Sequence, residues 1–372
     1  MEFTIHRTEL LKGLAKACPV SDKKSSMPIL SNVLINADKD LEISATDLYL
    51  SVKAHLNAEI KKKGTIAVSA RTLLDIAKNL PDAEIHWKVS KGNTSEIQCG
   101  KVKYKLPGIN GDDFPSLPEP GKAKFFEIDA AILSEMIGLT QYSMSHDDTR
   151  PHLAGALFEG DGDTIRMVTT DGHRLSKAEQ VFSGSSSKFN FSMLIPSKGV
   201  GELKRLIEDS KSAKDESTTV EVASVGGNAF FKKDGFMLSV KLTEEQFPPY
   251  AKVIPQSPQR NVGFARTPFM EALKRISLVA NDKSGGVRFQ LDSGIVRITS
   301  ENPDIGEGSE EVAVDFAGEP LTVGFNARYM LDVLSSLKHD DIVLGLGGEL
   351  DPGVIRPADT TDFVGVIMPM RI

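Results

Sequence analysis

Cysteine is nearly absent. Cys18 and Cys99 are the only two in 372 residues, too few for a disulfide framework and not spaced as a zinc knuckle. Long apolar runs are also missing, and no stretch reaches the roughly 18 residues that suggest a membrane span. The first residues, MEFTIHRTELLKGL, carry charge early and lack an apolar signal core and a small-residue cleavage site. These absences imply a cytoplasmic protein with no membrane partner. Basic charge is not in excess either: 44 Lys and Arg face 51 Asp and Glu, a formal net charge of -7. That excludes coating of nucleic acid through bulk charge but leaves room for a local basic face.

Several chemistry-bearing motifs are missing as well. No GxxxxGK[ST], GxSxG or HExxH occurs, and the glycines of GLGGEL do not match a dinucleotide fingerprint. SHDDTRPH (145–152) contains His146, Asp147, Asp148 and His152, but without regular ligand spacing it reads as a polar loop after a helix at 130–142. No metal, cofactor or catalytic residue is expected.

What the sequence does contain is self-similarity. LINADKDLEISATD (34–47), ALFEGDGDTIRMVTTD (156–171) and VRFQLDSGIVRITSEN (287–302) each read as an alternating strand, a turn and a second strand. They end at Asp47, Asp171 and Asn302. VSARTLLDIAKNL, IPSKGVGELKRLI and FNARYMLDVLSSL each run a strand into a helix, with Ser69, Ser197 and Asn326 as N-caps. FTIHRTELLKGLAKA, FEIDAAILSEMIGLT and FARTPFMEALKRISL open each copy with a strand and a helix, capped at Thr8, Asp129 and Thr267-Pro268. Three elements in one order at a stride of about 125 residues predict an α+β chain of three similar domains. Proline-rich PSLPEPGKAK (115–124) and FPPYAKVIPQSPQR (247–260) are the linkers, giving domains 1–122, 123–255 and 256–372. Serine and lysine runs at 183–188 and 210–218 read as exposed loops.

TTDGHRLS (169–176) is open to three readings: a turn marked by Asp171-Gly172, a binding surface, or a catalytic loop around His173. The terminal VGVIMPMRI has apolar Val366, Ile367, Met368 and Met370. Such a terminus is either tied into a sheet or part of a sticky patch, and methionine suits the latter.

ATDL near 45, TTDGHRLS, FPPYAKVIP (247–255), FNARYMLDVL (325–334) and terminal MPMRI together resemble the β sliding clamp family of bacterial DNA polymerase III, over the whole chain. The resemblance implies a DNA clamp fold: three tandem copies of a similar domain, two chains joined head to tail in a closed ring, helices inside and sheets outside. It implies a non-enzymatic processivity factor that encircles duplex DNA without regard to sequence. A ring retains DNA by topology and needs only weak phosphate contacts, which fits the acidic net charge.

The same resemblance assigns residues. A peptide-binding cleft is implied at Leu153, Thr170, Gly172, His173, Arg174, Leu175, Pro248, Lys252, Val253, Asn326, Tyr329, Val366, Ile367, Met368, Pro369, Met370 and Arg371. It would receive QLxLF-like peptides of the polymerase III alpha subunit, the clamp-loader delta subunit, other polymerases and repair proteins. Lys252 stands where arginine is frequent and Ile372 where leucine is. The basic residues on or beside helices, Lys12, Lys16, Arg71, Lys78, Lys198, Lys204, Arg205, Lys274 and Arg275, together with Lys24 in a loop, would face DNA. The loop holding Asp147, Pro151 and His152 is less basic and aromatic than in some members. Self-association would bring Leu278 and Val279 against Tyr104 and Leu106, and Lys101 and Lys103 against Glu307, Glu310 and Glu311. Read alone, Leu278 and Val279 also fit a helix core. Two other functions stay open: a hydrolase using the 145–152 and 169–174 loops, and a monomeric peptide-binding scaffold.

Overall fold

The computed structural model describes residues 1–21, 26–90, 92–147, 149–182, 189–208, 217–281 and 285–371. The first third of the chain contains β1 (Glu2–His6), α1 (Arg7–Ala17), β2 (Asn32–Ala37), β3 (Leu41–Thr46), β4 (Leu50–Leu56), β5 (Glu59–Lys62), β6 (Gly64–Ser69), α2 (Ala70–Asn79), β7 (Glu84–Ser90), β8 (Thr94–Cys99) and β9 (Val102–Asn110). The middle third contains β10 (Phe126–Asp129), α3 (Ala130–Thr140), β11 (Gly155–Gly162), β12 (Thr164–Thr170), β13 (Arg174–Val181), β14 (Phe189–Pro196), α4 (Ser197–Glu208), β15 (Thr219–Val225), β16 (Asn228–Lys233) and β17 (Phe236–Lys241). The last contains β18 (Arg260–Ala265), α5 (Arg266–Ser277), β19 (Gly286–Asp292), β20 (Ile295–Asn302), β21 (Gly306–Ala313), β22 (Leu321–Asn326), α6 (Ala327–Ser336), β23 (Asp341–Leu346), β24 (Gly353–Pro357) and β25 (Phe363–Ile367). Apart from β5, the order is the same three times, and every hairpin and strand-helix step read from the sequence repeat is present.

Strand pairing repeats with the order. Each third forms one four-stranded set, β4-β3-β2-β6, β13-β12-β11-β14 or β21-β20-β19-β22, and a second, β1-β7-β8-β9, β10-β15-β16-β17 or β18-β23-β24-β25. Neighbouring thirds then fuse edge to edge. β17 pairs antiparallel with β4, Leu238 opposite Val52, and β25 pairs antiparallel with β13, Val366 opposite Leu175. The chain accordingly divides into two compact units that cut across the repeats. Unit 1 holds Met1–Ala131 and Gly201–Leu242, and unit 2 holds Ile132–Val200 and Thr243–Ile372. A thirteen-stranded sheet lies in unit 1, and sheets of eight and four strands lie in unit 2.

Of the sheet edges among the described residues, two correspond to those joined between thirds yet lack such a partner. Residues 102–107 of β9 pair only with β8, and β21 pairs only with β20. β9 stands in its third where β17 and β25 stand in theirs, and β21 stands where β4 and β13 stand.

The cores follow from alternation along strands and three-to-four spacing along helices. In unit 2, α5 buries Phe269, Ala272, Leu273 and Ile276, and α6 buries Met330, Val333 and Leu334 against Phe289 and Phe325. In unit 1, α1 buries Leu10, Leu14 and Ala17, and α2 buries Leu73 and Ala77.

Helix caps divide. Ser69 accepts from Thr72 N and Asn326 from Tyr329 N, and Asp129 Oδ1 accepts from Ala131 N at 2.8 Å, as the sequence suggests. Thr8 is not the cap of α1; His6 is, accepting from Thr8 N. Thr267-Pro268 lies inside α5, whose N-cap Ala265 makes no side-chain bond, and Ser197 is the first residue of α4 rather than its cap. No helix among the described residues is long and apolar enough to cross a membrane. Asp148 and the 183–188 and 210–216 stretches lie outside the described residues.

Candidate functional site

The TTDGHRLS stretch is a tight turn. Asp171 Oδ1 accepts from His173 N at 2.9 Å and Arg174 N at 3.0 Å. Thr170 Oγ1 accepts from Gly172 N at 3.1 Å and donates to Arg174 O at 2.6 Å. Gly172 has a φ of 91°, the left-handed region that glycine enters without steric cost. The turn between β3 and β4 is built the same way: Asp47 Oδ1 accepts from Tyr49 N and Leu50 N, and Thr46 Oγ1 accepts from Leu48 N and donates to Leu50 O. Leu48 occupies the glycine position at a φ of 76°. The backbone turn therefore belongs to the repeat, and what sets the second copy apart is its side chains.

Arg174 stands where the first copy has Leu50, and its side chain is only 10% exposed. Nε donates to Asp171 Oδ2 at 3.1 Å, Nη1 to Asp332 Oδ2 at 2.6 Å and Nη2 to Tyr142 O at 2.5 Å. The guanidinium lies 4.4 Å from the Tyr329 ring centroid, and His173 stacks on the other side chain of that pair, 6.5 Å from Tyr329. Arg174 thus fastens the turn to α6, whose first turn Asn326 caps. His173 O accepts from Met368 N at 2.9 Å, which ties the C-terminal segment to the same turn. Beside this brace lies a cavity of about 740 Å³ lined by Asp147, Arg150, His173, Arg174, Tyr329 and Asp332, among others. Arg150 Nε donates to Asp147 Oδ2 at 2.8 Å and Nη1 to Asp171 O at 3.3 Å.

An apolar floor adjoins the turn. Leu157, Val168, Leu175 and Val366 form a buried cluster, with Phe247, Tyr250, Ile254 and Val364 packed against it. The segment 247–254 crosses this sheet face, and Tyr250 donates to Glu159 Oε2 at 3.1 Å. Burial, reinforced by that carboxylate, pushes the Tyr250 phenol up to about 12. Pro248 is half-buried, while Lys252 and Val253 are exposed. Leu153 is buried in the same unit, its N donating to Arg150 O at 2.9 Å. Of the two readings of the terminus, Val366 and Ile367 follow the first: both are buried in β25 and paired on both sides, Val366 in the floor and Ile367 in the helix-covered core. Met368 is exposed, Pro369 and Met370 are half-buried, and Met370 N donates to Gly324 O.

Both oxygens of Asp171 are engaged by Arg174 and backbone amides, and His173 is stacked on Tyr329 without a carboxylate partner among the described residues. An apolar floor with a rim of backbone and side-chain polar groups suits an extended apolar peptide.

The basic residues fall into distinct classes. Lys12, Arg71, Lys78, Lys198, Lys274 and Arg275 are exposed, and Lys204 and Arg205 are half-exposed. Lys16 is corrected: it is 9% exposed and its Nζ donates to Arg205 O at 2.9 Å and Leu206 O at 3.3 Å. It caps carbonyls in the last turn of α4, which have no intrahelical partner. Arg205 pairs with Glu202 at 3.2 Å, and Arg71 approaches Asp75 at 3.9 Å. Lys24 lies outside the described residues.

At the open edges, Leu278 is 77% exposed just beyond α5, so the core reading of that residue is overturned; Val279 is half-buried. Tyr104 is exposed and Leu106 half-buried on β9, with Lys101 and Lys103 exposed. Glu307 and Glu311 are exposed on β21. Glu310 points to the helix side, because alternate residues of a strand face opposite ways, and both its oxygens accept from Arg275 at 2.9 and 2.5 Å. Within the chain, Glu310 is thus taken by Arg275, on the face opposite Glu307 and Glu311. Glu311 accepts from Arg297.

Family models divide the chain into three consecutive parts. Residues 1–118 match the DNA polymerase III beta subunit N-terminal domain, 127–249 its central domain and 251–371 its C-terminal domain. The chain belongs to the DNA polymerase III beta subunit family. Over the full length of both chains it is 31% identical to the beta sliding clamp of Vibrio cholerae and 32% identical to that of Pseudomonas aeruginosa. The crystal structure of the DNA polymerase III subunit beta from Pseudomonas aeruginosa superposes with a TM-score of 0.94 at 32% identity, covering 100% of both chains. A sliding clamp from the same organism bound to griselimycin gives 0.92 at 32%, again over both whole chains. The fold is the clamp fold with its three domains.

Against this clamp framework, every expected cleft residue among those described falls in unit 2, on or around one turn, one helix end and one strand. Sequence reasoning missed Tyr142, Arg150 and Asp332, which hold Arg174 or border its cavity. Arg150 sits in SHDDTRPH, where a ligand-spacing test gives no signal for a brace. Asp332 lies six residues past Asn326 in a helix that looks ordinary by periodicity.

Proposed function

We propose that two copies of this chain close head to tail into a ring around duplex DNA. In this reading domains 1–122, 123–255 and 256–372 each form one sixth of the ring. The protein is a processivity factor and not an enzyme: it keeps a polymerase on its template by raising local concentration. The observation that carries the proposal is the repetition of strand edges. The edge type of β17 and β25 meets the edge type of β4 and β13 at both junctions inside the chain, and the same two types, β9 and β21, remain open. An open heterologous pair either closes into a ring or grows into a filament.

Carrying the β17-β4 register across puts Lys103 of one copy opposite Ser309 of the other and Lys105 opposite Glu307. Tyr104 and Leu106 then share the helix side with exposed Leu278. Lys101, Lys103 and Lys105 meet Glu307 and Glu311 on the other side. The cleft around Arg174 and Met368 takes QLxLF-like peptides of the polymerase III alpha subunit, the clamp-loader delta subunit and other polymerases and repair proteins. The exposed Lys and Arg of the helices supply weak, sequence-independent phosphate contacts.

The test is a cysteine pair. Lys103→Cys with Ser309→Cys is expected to yield a disulfide-linked dimer under mild oxidation, with neither single variant doing so. Sedimentation of the unmodified protein should give twice the chain mass. A monomer at working concentration, or cross-linking only into long ladders, contradicts ring closure.

A further inference from the structure

The floor of the cleft continues along the same sheet face into a second, polar groove. Side chains two apart on a strand share a face. Two residues on from Leu175, Val168 and Val366 stand Lys177, Arg166 and Val364, and Arg356 follows Val354 on the neighbouring β24. The groove holds about 420 Å³, walled by Tyr250, Ile254 and Pro255 of the segment that also carries Pro248 and Val253. Glu179 is among its lining residues, accepting from Arg166 and from Lys177 at 3.3 Å. Arg166 and Lys177 hold its carboxyl below the ordinary range against the upward push of burial. Tyr250 caps Glu159 at the edge. Three cations thus face two engaged carboxylates. Arg356 is exposed and has no ion-pair partner among the described residues.

We infer that this groove receives acidic residues flanking the apolar anchors of a peptide held in the cleft, with Arg356 as the principal contact. The inference rests on the cleft reading above. A guanidinium offers a planar fork matched to a carboxylate, and one sheet face joins the apolar floor to the basic groove, so a single extended chain reaches both. The groove adds selectivity among partners without altering the anchors. Because Arg356, the principal contact, is exposed to solvent, the gain is modest, about two- to fivefold in affinity.

The experiment uses the full chain and two fluorescein-labelled peptides with identical Gln-Leu-x-Leu-Phe anchors, one flanked on both sides by Asp and Glu, the other by Asn and Gln. Fluorescence anisotropy is expected to show about two- to fivefold tighter binding of the acidic peptide. That preference should vanish in Arg356→Gln and at high salt, while the amide-flanked peptide binds wild type and variant equally. Equal binding of both peptides by the wild type overturns the inference, as does a preference that persists in Arg356→Gln and in Lys177→Gln. Arg356→Gln weakening retention on duplex DNA while leaving the peptide preference intact also overturns it, assigning the groove to phosphate instead. If neither peptide binds, the cleft reading itself fails, a result separable from loss of the flank effect alone.

Discussion

Replacing Arg174 by alanine removes three hydrogen bonds and two cation-π contacts, to Tyr142 and Tyr329, at once, and the structure sets the size of the loss. Asp171, 14% exposed, keeps its backbone donors but loses its counter-ion. Asp332 is 32% exposed, so water recovers much of its solvation and its share is about 1 kcal/mol. Breaking a buried charge pair by removing one partner costs about 3–5 kcal/mol; allowing for the donors Asp171 retains, its share falls to about 2 kcal/mol. The stacking on Tyr329, 4.4 Å away, contributes about 0.5–1 kcal/mol. The expected destabilisation of unit 2 is therefore about 3–4 kcal/mol, a large part of a stability of about 5–15 kcal/mol. Native-state hydrogen exchange of amides in β12 and β13 reads the unit directly. Anisotropy with an apolar peptide should show loss of binding in parallel, since the turn, Tyr329 and Met368 are located by the same brace. A double-mutant cycle with Asp332→Asn should give a coupling of about 1–2 kcal/mol. A loss below about 1 kcal/mol with peptide affinity intact refutes the brace.

Lys16→Met should lower the stability of unit 1 by about 1–3 kcal/mol, by leaving Arg205 O and Leu206 O unpaired, and leave retention on DNA unchanged; fluorescence of the single, fully buried Trp87 follows the unfolding. Tyr142 is pushed up to about 12, chiefly by burial, and Tyr250 likewise. Each fold-state pKa lies above the unfolded value of 10, so the native state holds protons the unfolded chain gives up. Stability from these groups is fully present below pH 10 and is lost as pH rises from 10 to 12; phenolate absorbance should show two of the five tyrosines ionising late. Leu278→Asp should leave chain stability within about 0.5 kcal/mol, because the side chain is 77% exposed, while reducing the sedimenting mass to that of one chain.

The threefold plan was legible because strand alternation, turn residues and helix caps recur at one stride: Asp47, Asp171 and Asn302 all follow the same hairpin, and Ser69 and Asn326 both cap. Helix caps at Thr8 and Thr267 were each misplaced by two residues because an isolated cap residue does not outcompete the strand that precedes it: His6 and Ala265 end those strands. The fusion of thirds into two units was not legible, since the β17-β4 and β25-β13 pairs join segments about 190 residues apart with no local pattern to announce them. Lys16 shows the same limit. Its position one turn from Lys12 reads as a basic face, yet burial against α4 turns it into a cap. Motif resemblance named His173, Arg174 and Tyr329, which line the cavity beside the turn, but not Asp332 or Tyr142, which act through Arg174.

The account depends most on enclosure. The protein should be loaded onto a nicked circular duplex, separated from free protein by gel filtration, and followed after the circle is cut once. Retention on the circle at salt that abolishes ordinary phosphate contacts, followed by release when the circle is linearised, is the predicted result. Equal retention on circular and linear DNA, or loss from the circle at that salt, contradicts a ring that holds its template by topology.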